Sequence, residues 1–143
     1  MENTGFDKIL YEACNAGKVM CGVSAGAVCW FKSCNSDTLN GFESVECLNF
    51  INAHLTPHTD ELGRYKSTKE QLKENGLVGI MLSNCAAIEI IDNKYRIIIS
   101  DSIGHNIEKA YALKAYWIND EYKEEKILIS NEYQNINNLL DKK

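Results

Sequence analysis

Val19-Met20-Cys21-Gly22-Val23-Ser24-Ala25-Gly26-Ala27-Val28-Cys29-Trp30-Phe31 is the stretch on which the reading of this chain turns. Its first five residues form a short apolar run, the pattern of a strand buried on both faces. Its last five read as a strongly apolar helix. Between them stands Gly22-Val23-Ser24-Ala25-Gly26, a G-x-S-x-G sequence. A strand that turns abruptly into a helix needs residues without a Cβ, and such a turn pushes the central serine hydroxyl outward as a nucleophile elbow. The helix opening at Ala25 aims free N–H groups and a partial positive charge at any oxyanion formed there. The competing explanation is a strand-to-helix turn that only packs closely.

Upstream of this stretch, Phe6, Ile9, Leu10 and Ala13 fall at helical spacing, with Thr4 placed to cap and Gly17 to end the helix. Downstream, residues 34–45 are polar, contain Gly41 and read as a surface loop. A strand is expected over 48–55, ending at the single proline, Pro57, with His58 beside it. Residues 61–74 predict a polar helix closed by Asn75-Gly76. The second half changes texture. Strands are expected over 77–82, 86–91, 95–100, 109–117 and 121–129, with hairpin turns at Asp92-Asn93-Lys94 and Asn119-Asp120. The asparagine-rich tail after Ser130 reads as a fraying helix or coil. This order argues for an α/β sheet with an antiparallel hairpin extension, as one domain over 1–130 with a weakly structured tail over 131–143.

Composition agrees with one globular domain: 143 residues, 45% hydrophobic and 24% charged. A formal charge of −5 argues against nucleic acid or an anionic membrane as partner. No run approaches the roughly 18 apolar residues of a membrane span. The start of the chain, with Glu2, Asp7 and Glu12, does not read as a signal peptide, so a soluble, cytoplasmic protein is expected. The six cysteines include no C-x-x-C pair that could begin a zinc site, and they read as buried reduced thiols. No metal or cofactor is expected.

A serine hydroxyl is a weak nucleophile and needs a base. The chain offers His54, His58 and His105. His58 follows a strand at the edge where a parallel sheet places its functional loops. His54 falls within that strand and reads as structural. His105 reads as a solvated turn residue.

The elbow and its helix through Phe31, then Ser36-Asp37, then Pro57-His58-Thr59-Asp60-Glu61, resemble the dipeptidase E family. The likeness continues through Asn84-Cys85-Ala86-Ala87-Ile88-Glu89 and Lys94-Tyr95-Arg96, covering about Gly5 to Glu125. These are serine peptidases of the class I glutamine amidotransferase-like fold, a flavodoxin-like parallel sheet. The resemblance implies Ser24 as nucleophile, His58 as general base and the Ala25 N–H as an oxyanion donor. It implies hydrolysis of short peptides with an N-terminal aspartate, without cofactor. Arg64 matches a family arginine and could pair with a substrate carboxylate; alternatively it is a solvated charge at a helix start.

Two departures stand beside the matches. Where the family supplies the acid that orients the histidine, this chain has Ser83-Asn84. Asp37, Asp60, Glu61 and Glu89 are the carboxylates that could replace it. The resemblance also implies a preceding half with further parallel strands and a glycine-rich loop, whereas this sequence begins at the helix before the elbow. A second expectation follows: a non-catalytic remnant or subunit that associates through an exposed sheet edge, either with itself or with a complementing N-terminal chain. A glutamine amidotransferase-like hydrolase is a third expectation, but such enzymes carry cysteine where this chain has Ser24.

Overall fold

The computed structural model describes residues 5–100 and 110–143. Thr4, His105 and the start of the strand expected at 109 lie outside them. A first helix, α1 (Phe6–Asn15), ends near Gly17, whose positive φ of 73° suits a residue without a side chain. After the elbow come a one-turn helix, α2 (Ala25–Val28), and strands β1 (Phe31–Thr38), β2 (Gly41–Glu46) and β3 (Ile51–Thr56). Helix α3 (Arg64–Asn75) leads to β4 (Gly79–Leu82), β5 (Ala86–Ile91), β6 (Lys94–Ile99), β7 (Ala112–Ile118) and β8 (Glu121–Lys126). The tail adds β9 (Gln134–Asn135) and a short helix, α4 (Asn137–Leu140).

Six strands form a mixed sheet in the order β2-β1-β3-β4-β7-β8. Its centre, β1-β3-β4, is parallel, and its flanks are antiparallel hairpins. Three more strands, β5-β6-β9, form a second sheet. This is a mixed α/β architecture, a partial flavodoxin-like fold with antiparallel additions. The hairpins β5-β6 and β7-β8 turn at Asp92-Asn93 and Asn119-Asp120, where all four residues have positive φ. That is the type I′ turn, whose twist matches that of the strands it joins.

Alternation along β4 distributes its side chains between two cores. Ile80 and Leu82 join Phe31, Ala53, Leu55, Tyr95, Ile97 and Ala112 in one cluster, while Met81 packs with Leu72, Leu113 and Ala115 in the other. Helix α3 covers the second cluster, and Trp117 Nε1 donates to the Lys69 carbonyl at 2.9 Å. Gly76, in the left-handed conformation, closes α3 by donating its N–H to the Leu72 carbonyl. The tail is pinned where β9 pairs with β6 and where Leu139 is fully buried.

Several expectations need correction. The apolar run 19–23 forms no strand. A strand persists only where neighbours take its N–H and C=O groups, and no described strand pairs with this run. Val19 and Val23 are accordingly 93% and 87% exposed. The helix after the elbow is also shorter than its apolar pattern suggests, because Phe31 already begins β1.

Residues 34–45 are a β-hairpin, not a loop. Two polar side chains of β1, Ser33 and Asn35, are taken inward, while Asp37, Asn40, Glu43 and Ser44 stay exposed: Ser33 Oγ meets His54 Nδ1 at 2.8 Å, and Asn35 Nδ2 donates to Thr68 Oγ1 at 3.1 Å. Polar residues that are satisfied this way can occupy a sheet interior. Finally, the six thiols are free, but Cys34 alone is buried, while Cys14, Cys21 and Cys85 are exposed.

His54 sits fully buried on β3. Burial pushes its imidazole pKa down to about 4, and the Gln71 side chain offsets only part of this. The folded state therefore holds His54 neutral while an unfolded chain takes up a proton near pH ~6.5. Stability from this residue is complete above that pH and is lost as pH falls toward about 4. We predict that urea midpoints will show wild type losing on the order of 3 kcal/mol across this window. A His54→Gln variant should lose markedly less over the same window. Parallel pH slopes for the two proteins would refute the assignment.

Candidate active site

The elbow is built from a steric constraint. A Cβ on Gly22 would lie 2.0 Å from the Gly26 carbonyl oxygen and 2.2 Å from its carbon, so no side chain fits there. A Cβ on Gly26 would meet nothing within 4 Å, so space demands only the first of the two glycines. Ser24 stands at φ 49° and ψ −116°, outside the regions favoured by L-residues. Such backbone costs ~1–3 kcal/mol and persists where its surroundings over-determine it. The N–H groups of Gly26, Ala27 and Val28 are taken by the carbonyls of Val23 and Ser24. That of Ala25 has no acceptor among the described residues and remains available to an anion.

The other half of the site comes from the carboxyl ends of two adjacent parallel strands, β3 and β4. The Thr59 N–H donates to the Leu82 carbonyl at 3.0 Å and Thr59 Oγ1 to the Thr56 carbonyl at 3.2 Å, which stitches the His58 turn to both strands. His58 itself has positive φ, 53°. The loop after β4 is tied to the start of β7: Ser83 N–H donates to the Tyr111 carbonyl, and Tyr111 N–H returns a bond to Ser83 Oγ at 2.8 Å.

These two loops and the elbow converge. Ser24 Oγ lies 2.9 Å from His58 Nε2, although 34 positions separate them in sequence. His58 Nδ1 lies 2.6 Å from Asn84 Oδ1. Asn84 in turn donates its backbone N–H to Asp60 Oδ1 at 2.7 Å and its Nδ2 to Asp60 Oδ2 at 3.1 Å. Ser24, His58 and Asn84 are half-buried, and Asp60 is exposed. A hydroxyl, an imidazole and an oriented hydrogen-bond acceptor in series can carry out nucleophilic acyl chemistry.

The four carboxylates considered from sequence are placed differently. None of them meets His58 Nδ1, which Asn84 occupies, and Asp60 stands one residue behind. Asp37 and Glu61 both pair with Arg64 Nη2, at 3.0 and 2.8 Å. Glu89 lies on β5 in the other sheet, where hydrogen bonds from Tyr133 and Arg96 hold its carboxyl below the usual range. Arg64 is buried. Its Nη1 reaches the Asn35 carbonyl and Oδ1, and its guanidinium lies 4.5 Å from the Phe42 ring centre. Its hydrogen-bonding fork is therefore filled from within the chain.

Asn84 is the residue that a search for charge passes over. An asparagine carbonyl can accept from a histidine Nδ1–H as a carboxylate does, as in the Cys-His-Asn proteases. Its place in the sequence, where the orienting group was sought, was the available signal.

Comparison with known proteins gives this geometry a context. The chain is 30% identical over 112 residues to the Bacillus subtilis (strain 168) protein described as "Uncharacterized peptidase YgaJ", an alignment covering 78% of this chain and 46% of that protein. It thus spans about half the length of the curated relative it matches. No solved structure matches it. The model of peptidase family S51 matches residues 1–98 of the 143, and the chain belongs to that family.

Proposed function

We propose that this chain is a serine-type peptidase that hydrolyses short peptides with an N-terminal aspartate, using Ser24 and His58. The observation that carries the reading is the 2.9 Å approach of Ser24 Oγ to His58 Nε2 at a strained elbow. The substrate class rests on the resemblance to dipeptidase E. In this mechanism the Ser24 proton passes to His58 Nε2 as Oγ attacks the scissile carbonyl carbon. The carbonyl oxygen becomes an oxyanion facing the Ala25 N–H, and His58 returns the proton to the leaving amine. Water then releases the acyl group by the same route in reverse. Arg64 enters as scaffold, since Asp37, Glu61 and Asn35 already occupy its donors.

A second reading is favoured by a separate observation. Val19 and Val23 are almost fully exposed in a run that has the composition of a buried strand. Covering them with another polypeptide, a second copy or a complementing chain, would make this protein one part of an assembly.

Two measurements test these readings. Hydrolysis of Asp-X dipeptides should fall on the order of 10⁴-fold or more in Ser24→Ala; equal rates in the two proteins would remove the catalytic claim. Gly22→Ala should lower the rate about 10²-fold or more, because the added methyl displaces the elbow. Light scattering decides the second reading: association that a charged substitution at Val19 abolishes supports it, and a folded monomer at all concentrations counts against it.

A further inference from the structure

We infer that Asp60 is a positioning residue whose carboxylate sets the direction of every hydrogen bond in the chain Asp60–Asn84–His58–Ser24. The inference deepens the serine-type reading above and rests on it for its catalytic consequence.

An ionised carboxylate only accepts hydrogen bonds. Asp60 takes two from Asn84, one from its backbone N–H at 2.7 Å and one from its side-chain Nδ2 at 3.1 Å. Taken alone, a carboxamide can be turned either way about its last bond, presenting oxygen or NH₂ to a neighbour. The carboxylate removes that freedom, because only the NH₂ group can face Asp60. Oδ1 must then face His58 Nδ1, where it lies at 2.6 Å. A carboxamide oxygen accepts only, so Nδ1 must carry the proton of the neutral ring. Nε2 is left with its lone pair, 2.9 Å from Ser24 Oγ, and the serine hydroxyl donates to it. Each direction follows from the one before, and the first is fixed by Asp60. Without it, the flipped amide would donate to Nδ1 and drive the ring proton to Nε2, where the ring could not act as a base.

The arrangement also accounts for an amide where an acid was sought. A second carboxylate at position 84 would face the Asp60 oxygens at hydrogen-bond distance, and two such charges repel. The negative charge stands one residue back, and the aligned amide dipole presents its negative end to the imidazole.

The test uses the full chain and compares wild type, Asp60→Asn, Asn84→Asp and the double variant that exchanges the two. Nitrogen-15 NMR of the neutral His58 ring reports which nitrogen is protonated, whether or not a substrate is turned over. Wild type should show the Nδ1–H form, and Asp60→Asn should shift it toward Nε2–H, with kcat falling about 10²–10⁴-fold at nearly constant KM. In the exchanged pair the carboxamide at position 60 can donate to a carboxylate at position 84, so the Nδ1–H form and at least about tenfold of the lost rate should return. Asp60 is exposed, so circular dichroism should show Asp60→Asn folded. An unchanged ring tautomer in Asp60→Asn overturns the inference. If Ser24→Ala abolishes turnover in the same assay, the serine-type reading survives that result. Should wild type lack turnover, that reading fails while the tautomer still decides the role of Asp60.

Discussion

The approach of the Gly22 backbone to the Gly26 carbonyl is the constraint from which the site follows. There is no room for a methyl group between them. Because the chain must fold back this tightly, Ser24 is forced into a backbone conformation that a relaxed serine avoids. The hydroxyl is thereby carried out of the turn and toward the ends of β3 and β4. The neighbouring Ala25 N–H is left without an acceptor among the described residues for the same reason. One steric fact thus supplies both the exposed oxygen and the donor beside it.

Facing this turn, the histidine loop is fixed by charge burial. Arg64 is nearly inaccessible, which is tolerable only because Asp37 from β1 and Glu61 from the His58 loop both pair with it. The Asn35 carbonyl and side chain take its remaining donors. The two ion pairs, one from each side, tie β1 to the loop that carries His58. Beneath them, Thr56, Thr68, Asn35 and Ser67 form a hydrogen-bonded layer under α3. The inward face of α3 is mixed: Arg64 and Thr68 are buried and hydrogen-bonded, while Leu72 joins the apolar cluster of Met81, Leu113 and Ala115.

Much of this was legible in the sequence, and the failures have physical causes. Helix α3 with its Gly76 cap, the two Asn/Asp hairpin turns and the strand before His58 are set by local propensity and turn chemistry, which act within a few residues. The strand expected at 19–23 failed because a strand is a property of pairs, and composition cannot reveal whether a neighbour is present. The β1-β2 hairpin was hidden for the opposite reason. Ser33 and Asn35 look like loop residues until His54 and Thr68, some 21 and 33 positions away, are seen to satisfy them. At the site, Ser24 and His58 carry local signatures, a motif and a strand end. Asn84 carries only its position in the family resemblance and no motif of its own, because its part depends on an acid 24 positions earlier that the fold brings alongside.

The outermost strands of the six-stranded sheet, β2 and β8, have a further consequence. β8 carries Glu121, Lys123, Glu124, Glu125 and Lys126, and β2 carries Glu43 and Glu46. Charged side chains along a rim make it a poor template for another strand. Fibrillar growth by edge-on stacking of molecules therefore finds no hospitable starting point at either margin, even in concentrated solution.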